Sequence, residues 1–311
     1  MPELILSLGE PDVCGIVGIH LKDPALEPRL GELLVPMIEA LTGRGPDSAG
    51  LALYDRSVPD GSLRWSLRAP AANFDWEALA ARLGEDIGQP ATVEVTVDVG
   101  LLTVKAPVDQ VRARLGELFP DVTVVGVGEA MRLHKDIGSA KQICDRYGIE
   151  LIGGYQGVGH TRLATESAVT TKHSHPFSPA PDLALVHNGS FSNHMSIRRR
   201  LEDQGVVFET DNDSEVAARY IGHRLDQGDT LDDAMRMVLK EFDGFFTLLV
   251  TSRDEFAVVR DAFACKPLVV AETDAYVAVA SEYHALATLP GIESARVFEP
   301  QPEEVHSWVK K

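Results

Sequence analysis

The sequence predicts an α+β protein in which antiparallel sheets pack together and are covered by helices. Three observations carry this. Apolar, β-branched runs recur at hairpin spacing, 245–251 with 256–260 and 268–271 with 276–280. The stretches 25–41, 214–225 and 231–242 place apolar residues at helical spacing. Between them, residues 55–154 change character and carry a strand–helix alternation of their own.

Taken in order, the first element is the run Gly15-Ile16-Val17-Gly18-Ile19-His20, which reads as a buried strand entered directly from Cys14. A lone cysteine in that position is more often a small packing residue than a reactive one. Leu26, Leu30, Leu33, Met37 and Leu41 then share one helical face. That helix stops in Thr42-Gly43-Arg44-Gly45-Pro46-Asp47, where two glycines and a proline build a tight loop, and 48–54 returns as a strand. Within 55–154, residues 63–67 read as a strand and 76–83 as a helix. A hairpin follows over 92–97 and 101–105, turning at Asp98-Val99-Gly100, then a helix at 108–119 and a strand at 122–127. The order β-α-β-β-α-β is that of a ferredoxin-like unit, so 55–154 is expected to be an inserted subdomain, with a helix at 139–147 leading back. Strands follow at 157–162 and 183–189. The helix at 231–242 is preceded by Thr230, with Asp233 three residues on, a variant of the capping box.

Composition narrows the partners. A chain of 311 residues with 29 basic and 47 acidic side chains carries a net charge of −18, which repels nucleic acid and anionic membrane surfaces. A small zwitterion or a protein fits better. Three scattered cysteines, Cys14, Cys144 and Cys265, make neither a disulfide framework nor a four-thiolate zinc site, and suggest a reducing, cytoplasmic setting. Residues 1–13 contain Glu3, Glu10 and Asp12 and no basic residue, unlike a signal or transit peptide.

Five stretches occur in a telling order: Cys14-Gly15-Ile16-Val17-Gly18, Arg44-Gly45-Pro46-Asp47-Ser48-Ala49-Gly50, Gly159-His160-Thr161-Arg162-Leu163-Ala164-Thr165, His187-Asn188-Gly189 and Asp211-Asn212-Asp213-Ser214-Glu215-Val216. In this the chain resembles the class II glutamine amidotransferases, the N-terminal-nucleophile kind, from Cys14 to its end apart from the insertion. The stretch from Arg260 to Leu268, with Ala280-Ser281-Glu282, is most similar to stand-alone amidotransferase subunits of glutamate-synthase-like and N-methylglutamate-synthase-like complexes. The resemblance implies the four-layer αββα sandwich of N-terminal-nucleophile hydrolases over residues 14–311, interrupted at 55–154, and a glutaminase that passes ammonia to a synthase partner.

The chemistry such a protein needs can be stated from the residues. A side-chain amide is a poor electrophile, so its hydrolysis calls for a sulfur nucleophile, a base near neutral pH and donors aimed at the developing oxyanion. Cys14 supplies sulfur. A free α-amino group titrates near ~7.7–8.0 and suits the base, whereas a peptide nitrogen does not. The resemblance implies that the Asn188 amide and the Gly189 N–H form the oxyanion hole; by itself Asn-Gly equally signals a hairpin turn. It implies that Arg162 grips the glutamine α-carboxylate, a task suited to a planar, permanently charged fork, with Thr165 beside it. Asp213 would bind the α-ammonium, although an aspartate there also fits a helix N-cap. Arg44 and Asp47 would order the loop over the site.

The chain departs from the family pattern in three places. Leu163 and Glu166 stand where sugar-amidating members have Trp and His, which argues against an aminosugar acceptor. Residues 1–13 precede the nucleophile, so they are expected to be either a cleaved propeptide or the product of a misassigned start. No phosphate-binding glycine loop or cysteine cluster is present, so the chain is expected to hold no cofactor, and a flavin is assigned to the partner. His173, His175, His160 and His187 are expected to hydrogen-bond loops around the pocket rather than hold a metal. Two other readings stay open: a hydrolase of another amino-acid amide, and a catalytically silent regulatory subunit whose insertion binds a metabolite.

Overall fold

The computed structural model describes residues 14–55, 58–71, 73–163 and 168–310. Its central strand β1 (Gly15–Leu21) is buried along its whole length, as an apolar run without alternation requires. The chain turns through a 3₁₀ segment, Pro24–Arg29, into α1 (Leu30–Ala40). The single helix expected over 25–41 is thus shorter, with Pro28, which has no N–H to donate, in the segment before it. Leu30, Leu34, Met37 and Ile38 of α1 pack on the sheet.

After β2 (Ser48–Tyr54) come β3 (Leu63–Arg68), α2 (Trp76–Ile87), β4 (Ala91–Thr96), β5 (Val99–Val104), α3 (Val108–Leu118) and β6 (Thr123–Gly128). These four strands form a separate antiparallel sheet of order β4-β5-β3-β6, the ferredoxin-like arrangement, with its own core around Trp65, Trp76, Leu79, Leu102 and Val111. The β4–β5 turn lies at Val97 and Asp98, one residue earlier than expected. Asp98 is there in an ion pair with Arg146, 2.9 Å away. The separate sheet is also narrower than the 55–154 span. Residues 131–137 form β7 (Met131–Ile137), paired with β2 over seven residues from Ser48 opposite Ile137 to Tyr54 opposite Met131. This strand and α4 (Ala140–Tyr147), which packs beside α1, belong to the main body.

β8 (Gln156–Arg162) and β9 (Ala184–Phe191) follow, then α5 (His194–Glu202), α6 (Asp213–Asp226), α7 (Leu231–Glu241), β10 (Gly244–Thr251), β11 (Glu255–Arg260), β12 (Val269–Glu272), β13 (Tyr276–Ala280), β14 (Arg296–Phe298) and β15 (Val305–Val309). The large sheet has the order β14-β12-β13-β1-β8-β2-β7, and the second has the order β15-β11-β10-β9. Ile16, Val158, Val186, Leu249, Phe256 and Val279 interleave between the two. At Gly18 a Cβ would come within 2.6 Å of the Leu249 side chain, so the sheets approach there only because the residue is glycine. Val216, Ile221, Met235 and Val238 of α6 and α7 cover the outer face of the second sheet. The result is the four-layer αββα sandwich, with β1 and β9 in different sheets. Among the described residues no helix is long and apolar enough to cross a membrane.

Candidate active site

Cys14 sits where β1 begins, and its position is fixed through its neighbours. A Cβ on Gly15 would lie 2.6 Å from Thr161 Oγ1 and 2.9 Å from Leu41 Cβ, so a glycine must follow the cysteine. The Cys14 carbonyl accepts from two side chains, Arg44 Nε at 3.2 Å and Asn188 Nδ2 at 3.0 Å. Its thiol sulfur is 3.7 Å from the Leu163 carbonyl oxygen. Burial pushes the thiol above its ordinary pKa, opposed by a backbone contact with Leu163 and by the positive charges of Arg162 and Lys266. Such a thiol is protonated at neutral pH and needs a base to become a nucleophile.

Asn188 and Gly189 lie inside β9, opposite Thr247 and Phe246 of β10, so the pair is not a hairpin turn. Gly189 has φ +140°, and a Cβ there would be 1.9 Å from the Phe245 carbonyl oxygen, which restricts the position to glycine. An amide carries two N–H donors; in Asn188 one bond goes to Cys14.

Arg162 ends β8 and is buried, with Nη1 donating to the Ala168 carbonyl at 3.1 Å. Burial lowers its pKa, opposed by the charges of Cys14, Asp47, Asp213 and Asp211, so all four lie within electrostatic reach of the guanidinium. Asp213 is the first residue of α6, and Asn212 is the N-cap, its Oδ1 accepting from Ser214 N at 2.8 Å. Asp213 is held from β9 instead, where Phe191 N donates to its Oδ2 at 2.9 Å, and Ser214 Oγ donates to its Oδ1 at 3.2 Å. The loop motif before β2 is laid against Arg162: Asp47 N donates to the Arg162 carbonyl at 3.1 Å, and a Cβ on Gly45 would be 2.6 Å from the Arg162 backbone. Cys14, Arg44, Asp47, Arg162, Asn188, Gly189 and Asp213 therefore come together at one end of the sandwich. Thr165, and residues 1–13, lie outside the described residues.

Other side chains support these residues from around the site. Glu282 forms an ion pair with Arg44. Ser281 is bonded twice to Ile16, its N to the Ile16 carbonyl and its Oγ from Ile16 N, both at 2.9 Å. Glu215 accepts from Glu209 N at 2.9 Å and Thr210 N at 2.7 Å, fixing the turn that leads to Asp213. His173 Nε2 is 2.8 Å from Asp211 Oδ1. For Glu282, Ser281 and Glu215 the only sequence signal was membership of the motif stretches, because each acts on a residue far away in the chain or on the backbone; His173 lies outside those stretches.

Two of the four histidines bond the stretch that carries Asp213, as expected: His173 meets the Asp211 carboxylate, and His187 Nδ1 lies 2.8 Å from Ser214 Oγ. His160, His175 and His187 are buried, His160 Nε2 bonds the His187 carbonyl at 2.8 Å, and the rings of His160 and His175 are 4.1 Å apart. Burial lowers His160 to about 3, and lowers His175 and His187 as well. Among the described residues no group of three or more His, Cys, Asp or Glu could hold a metal ion.

A family model described as a glutamine amidotransferase domain matches residues 160–288. The glutamine amidotransferase-like protein GlxB of Rhizobium meliloti (strain 1021) is 47% identical over 297 residues, covering 95% of this chain and 98% of that one. The glutamine–fructose-6-phosphate aminotransferase of Mycolicibacterium smegmatis is 37% identical over 138 residues, which are 43% of this chain and 22% of that one. Among solved structures, the glutamine phosphoribosylpyrophosphate amidotransferase of B. subtilis superimposes with a TM-score of 0.59 at 19% identity, over 95% of this chain and 49% of that one. That likeness is one of fold, and this chain spans about half the length of that enzyme. Identity to GlxB along almost the whole of both chains, on the sandwich that the solved amidotransferase shares, means that the chain belongs to the glutamine amidotransferase family.

Proposed function

We propose that the protein hydrolyses L-glutamine through a γ-glutamyl thioester on Cys14 and hands the ammonia to a synthase subunit. The observation that carries this reading is the meeting of a half-buried thiol, an amide donor and two opposite charges at one end of the sandwich: Cys14, Asn188, Arg162 and Asp213. A fixed cation and a fixed anion suit the two ends of an α-amino acid. The side-chain amide of the substrate is then directed to the sulfur.

In the proposed reaction the Cys14 sulfur attacks the amide carbon while its proton passes to a base. The carbonyl oxygen gains negative charge, and Asn188 Nδ2 and Gly189 N–H stabilise it. The C–N bond breaks, ammonia leaves with the returned proton, and water cleaves the thioester to glutamate and free thiol. The base is the α-amino group of Cys14, which exists once residue 13 is gone. Thr165 joins Arg162 at the carboxylate end, and Arg44 and Asp47 keep the covering loop in place. The acceptor is a flavin-dependent, glutamate-synthase-like partner in the cytoplasm, and the cofactor belongs to that partner.

The test is ammonia and glutamate release by protein whose first residue is Cys14. Equal amounts of both products, abolished in Cys14→Ser, are expected. Glutaminase activity that survives Cys14→Ser would overturn the mechanism, and turnover of other amides with none of glutamine would overturn the substrate.

A further inference from the structure

A small cavity lies between the ferredoxin-like unit and the main body, under β6 and against α6. It encloses about 40 Å³ and adjoins a larger cleft of about 670 Å³, sharing Thr123 and Lys172 with it. In a chain of net charge −18, its lining is unusual, with Arg112, Lys135, Lys172 and Arg219 against only Glu209 and Glu215. Arg219 is committed to both carboxylates, 3.2 Å from each. Arg112 reaches Glu209 at 3.5 Å.

Lys135 is different. Its side chain is buried, yet no carboxylate lies within ion-pair distance among the described residues. An ammonium has three N–H donors. Two go to carbonyl oxygens, Ser174 at 2.9 Å and Pro176 at 3.2 Å, and the charge sits 5.1 Å from the Phe177 ring centre. A buried cation with no carboxylate in contact is costly: burial lowers this lysine to about 8, opposed only at longer range by the charges of Glu209 and Glu215. A second polar group at the cavity is also unanswered: Ser178 Oγ is enclosed and has no hydrogen-bond partner among the described residues. A donor with spare capacity and an unsatisfied hydroxyl on residues lining the same cavity suit an oxyanion.

We propose that this cavity is a binding site for the oxyanion head, carboxylate or phosphate, of a small metabolite, ligated by Lys135 and Ser178 with Lys172 at the mouth. The body of the ligand extends into the adjoining cleft. The site is tied to the glutamine-binding end on both sides. Lys135 holds the carbonyls of Ser174 and Pro176, next to the His173 that bonds Asp211. Glu215, on the cavity wall, holds the backbone that leads to Asp213. Occupation therefore changes glutamine affinity, and that part alone rests on the function proposed above.

Binding can be measured without turnover. Melting temperature is followed with inorganic phosphate, with succinate and with sodium chloride at equal ionic strength. A ligand at ten times its Kd is expected to raise Tm by about 2 °C. A rise with phosphate alone assigns a phosphorylated ligand, and a rise with succinate alone assigns a carboxylate. Calorimetry at pH 8 in two buffers of different ionisation heat should show uptake of roughly half a proton, fading at pH 6.5, because an anion favours the charged form of Lys135. Lys135→Met should abolish binding. Should that variant not fold, Ser178→Ala combined with Lys172→Ala should weaken binding at least about tenfold. Equal effects of all three salts, or binding unchanged in the double variant, would overturn the proposal. Because these readouts do not use glutamine, their failure is distinct from failure of the glutaminase reading.

Discussion

The Asn188 side-chain amide donates to the Cys14 backbone carbonyl across 3.0 Å, so β9 of the β15-β11-β10-β9 sheet holds the residue that leads into the centre of the seven-stranded one. The same amide that would stabilise the oxyanion also sets where Cys14 stands.

Replacing Asn188 by alanine should therefore do more than remove one donor. Loss of an oxyanion donor lowers kcat by about 10²–10³, and the freed carbonyl should also weaken the seating of Cys14. Steady-state kinetics and the rate of Cys14 alkylation read the two effects separately. A kcat within threefold of the parent would remove Asn188 from the oxyanion hole.

Arg162 and Asp213 should act on affinity. Arg162→Lys keeps the charge and loses the fork, and Asp213→Asn loses the charge with little change in shape. Each is expected to raise KM for glutamine by roughly 10–100-fold, the worth of a charge-assisted hydrogen bond. Glutamine lacking its α-ammonium should discriminate poorly between parent and Asp213→Asn. An unchanged KM in both variants would mean that the substrate is oriented by other groups.

The burial that raises the Cys14 pKa makes the base decisive. Protein that begins at Cys14 should lose activity as pH falls through the α-amine range of about 7.7–8.0. Protein retaining residue 13 should be slower by about 10²–10⁴. Mass spectrometry of the N-terminus beside an ammonia assay checks this, and full activity with residue 13 in place would rule out the α-amine as base.

Acid should destabilise the fold before the carboxylates titrate. His134 and His160 are lowered to about 3 by burial, against about 6.5 in an unfolded chain. Stability from these neutral side chains is complete above pH ~6.5. It falls as pH drops toward 3, because the unfolded chain takes up protons that the folded one refuses. At pH 5 the loss is about 2 kcal/mol for each. Urea midpoints at pH 7.5 and pH 5 measure it, and equal midpoints would contradict the assigned burial.

What could be read in the sequence was whatever local chemistry marks. Gly45, Pro46 and Gly189 mark sharp backbone constraints, and β1, β10 and β13 are apolar runs. β7 escaped because Met-Arg-Leu-His-Lys-Asp-Ile looks like a surface stretch. Two of its charges are answered only in the fold, Arg132 by Asp55 at 2.5 Å and Asp136 by Arg146 at 3.0 Å. The arginine-rich α5 and the short strands β14 and β15 escaped for a similar reason, since their pairing partners are remote. The site itself was more legible than its supports. Cys14, Arg162, Asn188 and Asp213 belong to compact motifs, whereas Glu282 is marked only by the short Ala280-Ser281-Glu282 stretch and reaches Arg44 across 238 positions.

Tyr54 and Met131 face each other at the end of the β2–β7 ladder, and Asp55 N bonds the Ala130 carbonyl at 2.9 Å just beyond them. The chain thus leaves and re-enters the main body at neighbouring points, as the two arms of a hairpin do. For a lineage this is a socket: the unit between them can be acquired, exchanged or trimmed to a short turn without redrawing a rung of the sheet that carries Cys14. Asp182 supplies its latch, accepting from the amides of Glu129, Ala130 and Met131 at 2.8–2.9 Å, so any cassette seated there inherits a fixed angle to the catalytic end.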